Sequence, residues 1–239
     1  MFFHDALSLR LYRVKILAFD TSSITCSVAL LDTDNQEGEK VLSLNKSLPM
    51  QKGKFILPLI QELLEQNNLS LKKLDAVAYG CGPGSFTGIR IANSVAQGMG
   101  FAVKLPIIKV SSMAAIAQAA FMEKGVNKCL VALDARMNQI YWAAYQVSTD
   151  ECVDLIGREQ VCEINLIETK NDLNMTEWCG VADGWEKYGI ELCEKLGGSP
   201  NLIYATQLPT AEAVLALAKR KFERKEWVTA ANAVPEYLN

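Results

Sequence analysis

The chain has 239 residues, of which 50% are hydrophobic and 21% are charged, and its formal net charge is −3. This composition provides enough apolar side chains for one domain or two small ones, and it excludes the basic stripe typical of proteins that bind nucleic acid by themselves. The seven cysteines show no C-x-x-C spacing, which argues against a thiolate zinc site or a redox pair and indicates buried free thiols in a reducing compartment.

The start of the chain, MFFHDALSLRLYRV, does not resemble a signal peptide. It lacks a basic first segment and a continuous apolar stretch, and no part of the sequence has the roughly 20 apolar residues of a membrane span. We therefore expect a cytoplasmic protein with no membrane partner. Residues 1–14 are interpreted as an N-terminal extension before the first strand.

Two similar β-hairpins are predicted in different parts of the chain. In residues 15–32, KILAFDTSSITCSVALLD, a buried strand ends at Asp20 and is followed by a polar turn and a second strand. Residues 129–146, CLVALDARMNQIYWAAYQ, repeat this pattern, with Asp134 at the position of Asp20. Two hairpins can look alike by chance, but helices follow both of them, which favours two similar half-domains in tandem.

Helices and strands alternate after each hairpin. Apolar spacing predicts, in chain order, helix 54–68, strand 75–80, helix 86–103, strand 106–110, helix 111–125, strand 179–183, and helices 185–197 and 210–227. This alternation is typical of an α/β architecture. We assign residues 15–110 to a first half-domain, completed by the terminal helix 210–227, and residues 111–209 to a second half-domain.

The stretch YGCGPGSFTGIR, residues 79–90, has the composition of a phosphate-binding loop. It lacks the lysine of a Walker loop, and Ser85 stands where a G-x-G-x-x-G fingerprint needs its last glycine. Free N–H groups near Gly82, Gly84 and Ser85 would still suit a weak nucleotide or anion contact, with Asp20 nearby. The alternative, which we favour, is a tight strand-to-helix turn capped by Ser85 or Thr87.

Several segments together resemble the TsaB (YeaZ-like) family. They are ILAFDTSSITCSVALL, AYGCGPGSFTGIRIANSVAQGMG, PIIKVSS and ALDARMNQIYWAAY, with weaker likeness in ADGW and AVPEYL. The resemblance is strong over residues 15–145. It implies the actin-like ATPase (ASKHA) fold, an α/β fold of two tandem RNase H-like half-domains, in agreement with the repeat. The chain departs from the family at residues 1–14 and at QKGK, residues 51–54, where a histidine is common.

The resemblance also implies a function in tRNA modification. Such proteins are non-catalytic dimerisation or scaffold subunits that pair with a catalytic TsaD-type subunit for threonylcarbamoylation of adenosine 37 in tRNA. They work with a TsaE-type ATPase, and the tRNA is reached indirectly through the complex. No tightly bound cofactor is expected. ATP or ADP at a subunit interface, and a homodimer of the isolated chain, stay open.

Two enzyme hypotheses are the alternatives: an independent ATP-dependent phosphotransferase of the actin-like fold, and a peptidase. A peptidase triad needs a histidine beside a serine or cysteine, and the sequence has only His4. One histidine also cannot form a two-histidine metal motif, so no metal site is expected. A phosphotransferase is disfavoured because the turns DTSS and DARM contain no glycine to let the backbone approach a phosphate.

The predicted helices 54–68 and 86–103 carry more apolar or small residues than one buried face requires. In each helix a stripe of such residues recurs at helical spacing. We expect these stripes to pack against the matching helix pair of the related subunit. The predicted interface residues are Ile56, Ile60, Leu63, Ala92, Ala96 and Gly100.

Overall fold

The computed structural model describes residues 13–35, 38–47, 51–169 and 173–238. Within these residues, two five-stranded sheets are covered by five α-helices. Residues 1–12, the main part of the predicted N-terminal extension, lie outside the described residues, and His4 is among them.

The first sheet is built from the first hairpin and the strands that follow it. Its strands are β1 (Lys15–Asp20), β2 (Thr25–Asn35), β3 (Gly38–Ser47), β4 (Ala76–Gly80) and β5 (Ile107–Val110). Their spatial order is β3-β2-β1-β4-β5, with β1, β2 and β3 antiparallel and β4 and β5 parallel to β1. Helix α1 (Lys52–Gln66) precedes β4, and helix α2 (Phe86–Val103) connects β4 to β5.

The second sheet repeats this topology. Its strands are β6 (Lys128–Arg136), β7 (Gln139–Val147), β8 (Val153–Glu163), β9 (Cys179–Val181) and β10 (Leu202–Tyr204). The order β8-β7-β6-β9-β10 has the same antiparallel and parallel pairs as the first sheet. Helices α3 (Ser112–Lys124), α4 (Gly184–Leu196) and α5 (Ala211–Glu223) complete the chain. The predicted fold of two tandem half-domains is confirmed, while the exact boundary at residues 110 and 111 stays a prediction.

Three apolar clusters hold these elements in layers. A central cluster lies between the two sheets and contains α3, which packs on the second sheet, and α5, which packs on the first. The outer face of the first sheet packs on α1 and α2, and that of the second sheet packs on α4. Strand β1 contributes to two of these clusters, because successive side chains of a strand point to opposite faces of the sheet. Ile16 and Ala18 face the central cluster, whereas Leu17 and Phe19 face the outer helices.

Helices α3 and α5 begin at side-chain caps. The Oγ atom of Ser111 accepts hydrogen bonds from the N–H groups of Met113 and Ala114, at 3.2 and 3.3 Å, and so begins α3. Thr210 caps α5 in the same way through Ala213, at 3.2 Å. Such caps satisfy N–H groups that have no partner within the helix.

Some predicted bounds were wrong. The terminal helix ends at Glu223 instead of residue 227, because the chain turns at Lys225 (φ 60°) and Val228 then pairs with Ile107. The predicted helix 54–68 begins and ends two residues earlier, as α1, whereas α2 has the predicted bounds.

Strands β3, β8 and β10 were not predicted. Short 3-10 turns occupy Leu71–Lys73, Ile164–Leu166, Met175–Glu177 and Ala230–Asn232.

The outer core of the second half depends on a buried tryptophan. Trp185 is 3% exposed, and its indole Nε1 donates to the Leu130 carbonyl at 2.8 Å. A Cβ atom on Gly180 would lie 2.7 Å from the indole ring, so only glycine leaves room for it. We expect Trp185→Phe to lower the free energy of unfolding by roughly 1–3 kcal/mol, because it removes a buried hydrogen bond and leaves a void.

The matched control for this variant is Trp227→Phe. The Trp227 side chain is 40% exposed, so its replacement should change the free energy of unfolding by less than about 0.5 kcal/mol. Urea unfolding of both variants measures the difference. Equal losses in the two variants would contradict the role given to Trp185.

Candidate functional site

The glycine stretch joins the end of β4 to the start of α2. Its Gly82–Pro83 peptide bond is cis, and Gly82 has a φ of 113°, a conformation that favours glycine. A Cβ atom on Gly80 would overlap Oδ2 of Asp20. The missing side chain therefore lets the end of β4 lie directly against the turn that follows β1.

The N–H groups of this stretch are largely used within the chain. Gly82 donates to Oγ of Ser112 at 3.2 Å, and the Ser85 N–H donates to the Ser22 carbonyl at 2.7 Å. Ser85 also caps α2, since its Oγ accepts from the Gly88 N–H at 3.3 Å. These bonds support the turn interpretation over a phosphate cradle. The weak nucleotide or anion contact at Asp20, Gly82, Gly84 and Ser85 stays a prediction.

Asp20 lies at the end of β1 and is fully buried. Its Oδ1 accepts from the Ser22 N–H at 2.8 Å and from the Ser22 hydroxyl at 2.9 Å. Burial raises the pKa of Asp20 to about 6, although the Ser22 hydrogen bonds and the charge of Lys52 act in the opposite direction. The carboxylate thus serves its own turn and is not presented to solvent.

Lys52 is a buried charged residue beside Asp20, and it was not among the predicted site residues. It is 6% exposed, although it is the first residue of α1. Its ammonium donates to the Thr21 carbonyl at 2.8 Å and to the Ser23 carbonyl. Burial lowers the pKa of the Lys52 amine, and the charge of Asp20 partly offsets this. A lysine before an amphipathic helix usually lies in solvent, and nothing in the local pattern indicates otherwise.

Asp134, the matching aspartate of the second hairpin, is also held by its own chain. Its Oδ2 is 2.9 Å from the Lys187 ammonium, and the Tyr188 hydroxyl donates to its Oδ1 at 3.2 Å. Burial alone would raise the pKa of Asp134, but the hydrogen bonds from Lys187 and from the Arg136 N–H outweigh it and hold the pKa below its ordinary value. Both turn aspartates are therefore occupied by internal donors.

The buried carboxyl of Asp20 should make the free energy of unfolding depend on pH. Because the pKa of folded Asp20 lies above the usual 3.8, the folded chain binds this proton more tightly than the unfolded chain does. The stabilisation from Asp20 is therefore complete below pH 3.8 and is lost as the pH rises through about 6. Relative to Asp20→Asn, the free energy of unfolding of the wild type should fall by about 2 kcal/mol between about pH 4.5 and about pH 8. Urea titrations measure this difference, and a constant difference would show that the pKa is not raised.

The six predicted interface residues do not lie on an outer surface. Each of them is buried, and five belong to the cluster between the first sheet and its outer helices. The buried positions are Ile56, Ile60, Leu63, Ala92, Ala96 and Gly100. At Gly100 the sheet lies so close that a Cβ atom would be 2.6 Å from Ile107 of β5. The stripes are small or apolar because the chain's own sheet packs on them, and the choice of these residues was wrong.

A second stripe of small residues lies on the opposite side of α2. Ser94, Gly98 and Ala102 are spaced four residues apart and are all exposed. A Cβ atom on Gly98 would meet nothing within 4 Å. Phe101, beside this stripe, is 85% exposed. We call Ser94, Gly98, Phe101 and Ala102 the outer face of α2.

Helix α1 contributes a further apolar side chain to the same side of the sheet. Leu57 is 53% exposed, and α1 lies beside α2, where a Cβ atom on Gly53 would be 3.5 Å from Ile91. The sequence shows both small stripes of α2, but it does not show which of them faces the sheet.

The described part of the chain carries neither a metal-binding cluster nor a membrane-spanning helix. No group of three or more His, Cys, Asp or Glu side chains there could hold a metal ion. No described helix is both long enough and apolar enough to cross a membrane. The seven cysteines are free thiols, four of them buried and three half-buried.

Comparison with known proteins identifies similar chains. A family model described as "TsaD: tRNA N6-adenosine threonylcarbamoyltransferase" matches residues 52–176. The protein of Escherichia coli (strain K12) named "tRNA threonylcarbamoyladenosine biosynthesis protein TsaB" is 34% identical over 228 residues, which cover 94% of this chain and 94% of that protein. The Haemophilus influenzae protein of the same name is 36% identical over 236 residues, covering 93% and 92% of the two chains.

Solved structures show the same similarity. "YeaZ from Pseudomonas aeruginosa" superposes with a TM-score of 0.84 at 37% identity, over 94% of this chain and 100% of that chain. A second structure, of an uncharacterized protein with similarity to peptidase YEAZ from Pseudomonas aeruginosa, gives a TM-score of 0.85 at 37% identity, over 95% and 100% of the two chains.

Proposed function

The chain belongs to the TsaB family of tRNA threonylcarbamoyladenosine biosynthesis proteins, and we propose that within this pathway it is a non-catalytic subunit that pairs with a TsaD-type partner. The observation that carries the proposal is the exposed glycine in the middle of α2. A glycine inside a helix costs about 1 kcal/mol relative to alanine. Gly98 has no neighbour that requires it, which suits a position where another chain approaches closely.

The internal hydrogen bonds of the two turn aspartates support a non-catalytic role. A phosphotransferase of this fold would need these carboxylates near a metal-bound nucleotide. Here Asp20 is buried against Ser22, and Asp134 is paired with Lys187. Neither carboxylate is free to act without rearrangement of its turn.

The choice of partner rests on the family model. The matched residues, 52–176, include both α1 and α2. A TsaD-type subunit would therefore present a similar helix pair, and two such pairs can pack as four helices when small residues let the backbones approach. The outer face of α2, together with Leu57 of α1, is the surface we assign to this contact.

We propose that the pair belongs to a larger complex. A TsaE-type ATPase joins the pair, ATP or ADP binds at a subunit interface, and the tRNA reaches this chain only through the complex. Pairing of the chain with itself through the same face is the alternative state when no partner is present.

Two tryptophan substitutions on opposite sides of α2 test this assignment. Gly98→Trp should leave the free energy of unfolding nearly unchanged, because nothing lies within 4 Å of the new side chain, but should abolish pairing with the TsaD-type subunit. Ala96→Trp should destabilise the isolated chain by at least about 1–3 kcal/mol, since Ala96 is fully buried. Urea unfolding and gel filtration with the partner measure the two effects.

Threonylcarbamoyladenosine in tRNA is the functional readout. In cells that have the Gly98→Trp variant as their only copy of this chain, the modification should be lost. If this variant pairs with the TsaD-type subunit and supports modification like the wild type, the interface does not include the outer face of α2.

A further inference from the structure

The chain beyond α5 runs along α2. Val228 exchanges backbone hydrogen bonds with Ile107, at 2.8 and 2.9 Å, and the Gln97 side chain then donates to the Ala230 carbonyl at 3.3 Å. Further on, the Glu236 N–H donates to the Cys81 carbonyl at 3.1 Å. Residues 228–238, which we call the C-terminal tail, thus pass from the middle of α2 to its first turn.

The end of the tail is fixed to the first half-domain. Ala233 is fully buried, and the Tyr79 hydroxyl oxygen lies 3.4 Å from the Val234 carbonyl oxygen. The Glu236 carboxylate is 2.7 Å from the Lys109 ammonium. These contacts come from β4, α2 and β5, so the tail has one defined position beside α2.

Three side chains at this position form an exposed cluster. Arg90 donates from Nε to the Tyr237 hydroxyl at 3.3 Å, and its guanidinium carbon lies 3.7 Å from the centre of the Phe86 ring. Phe86 is 59% exposed and Tyr237 is 53% exposed. The arginine therefore contacts two aromatic side chains that are both exposed.

This cluster is continuous with the outer face of α2. Phe86, Arg90, Ser94 and Gly98 follow one another at intervals of four residues and are all exposed. Tyrosine, phenylalanine and arginine are enriched at protein interfaces, where they contribute much of the binding energy. Among the described residues, no carboxylate lies within ion-pair distance of Arg90, so its charge is available to a partner.

We propose that the tail is part of the partner-binding surface, with Arg90 and Tyr237 as its anchors beside the outer face of α2. The inference rests on the proposed pairing function and takes the same TsaD-type subunit as the occupant. That subunit should place a carboxylate against the Arg90 guanidinium and an apolar side chain against the Phe86 and Tyr237 rings. Arginine recognises a carboxylate through two parallel hydrogen bonds, which gives this end of the interface its orientation.

Single alanine variants test the proposal. Tyr237→Ala and Arg90→Ala should each weaken the affinity for the TsaD-type subunit about tenfold or more, as measured by calorimetry. The double variant should lose less affinity than the product of the two single fold-losses, because both substitutions remove the same contact. Far-UV circular dichroism and thermal unfolding should match the wild type, since both side chains are exposed.

Met137→Ala is the matched control. Met137 is 89% exposed and lies in the turn between β6 and β7, away from the tail. The affinity of the Met137→Ala variant for the TsaD-type subunit should therefore stay within about twofold of the wild-type affinity. Equal weakening by Met137→Ala and Tyr237→Ala would overturn the proposal.

The Gly98→Trp variant separates failure of this inference from failure of the proposed function. If Gly98→Trp blocks pairing while Tyr237→Ala binds like the wild type, the tail is not part of the interface and the pairing function stands. If the wild type itself does not bind the TsaD-type subunit, the pairing function is wrong and the inference is overturned with it.

Discussion

The arrangement of the first half-domain depends on the close contact between the turn after β1 and the first turn of α2. A Cβ atom on Gly88 would overlap the Thr21 carbonyl, and the Thr21 hydroxyl donates to the Gly88 carbonyl at 2.6 Å. The Lys52 ammonium donates to the same Thr21 carbonyl at 2.8 Å. Because α1 begins at Lys52 and α2 at Phe86, this one contact fixes the starts of both outer helices and hence the surface they share.

Two charged groups, Asp20 and Lys52, are buried beside this contact. A buried charge is costly unless hydrogen bonds and an opposite charge compensate it. Asp20 has the Ser22 hydroxyl and N–H, and Lys52 has two backbone carbonyls. In the second half-domain the corresponding Asp134 is paired with Lys187 near the surface. In both halves the turn aspartate has a structural partner, which is consistent with a subunit that acts by pairing.

The sequence predicted the parts of the fold that have strong local patterns. Both hairpins, the bounds of α2 and the turn at the glycine stretch follow from buried strands, helical spacing and capping residues. Strand β3 was missed because most of its residues, such as Glu39 and Lys40, are exposed and give no alternating pattern. The role of Lys52 depends on carbonyl groups some thirty residues away in the chain, at Thr21 and Ser23, which no local pattern reveals.

The orientation of α2 does not follow from its sequence, because both of its sides carry small residues, for different reasons. Ala96 and Gly100 are small because β4 and β5 pack on them, whereas Gly98 faces open space. Local spacing is the same in the two stripes, so only the position of the sheet distinguishes the stripe used for folding from the stripe available to a partner.

Hydrogen–deuterium exchange of the wild-type chain, alone and with the TsaD-type subunit, tests this account most directly. Binding should slow exchange of the backbone amides in α2 and in residues 233–237, because one continuous surface made of these two segments becomes covered. Exchange in β6, β7 and β8 should not change. Slower exchange confined to the second half-domain would contradict the account.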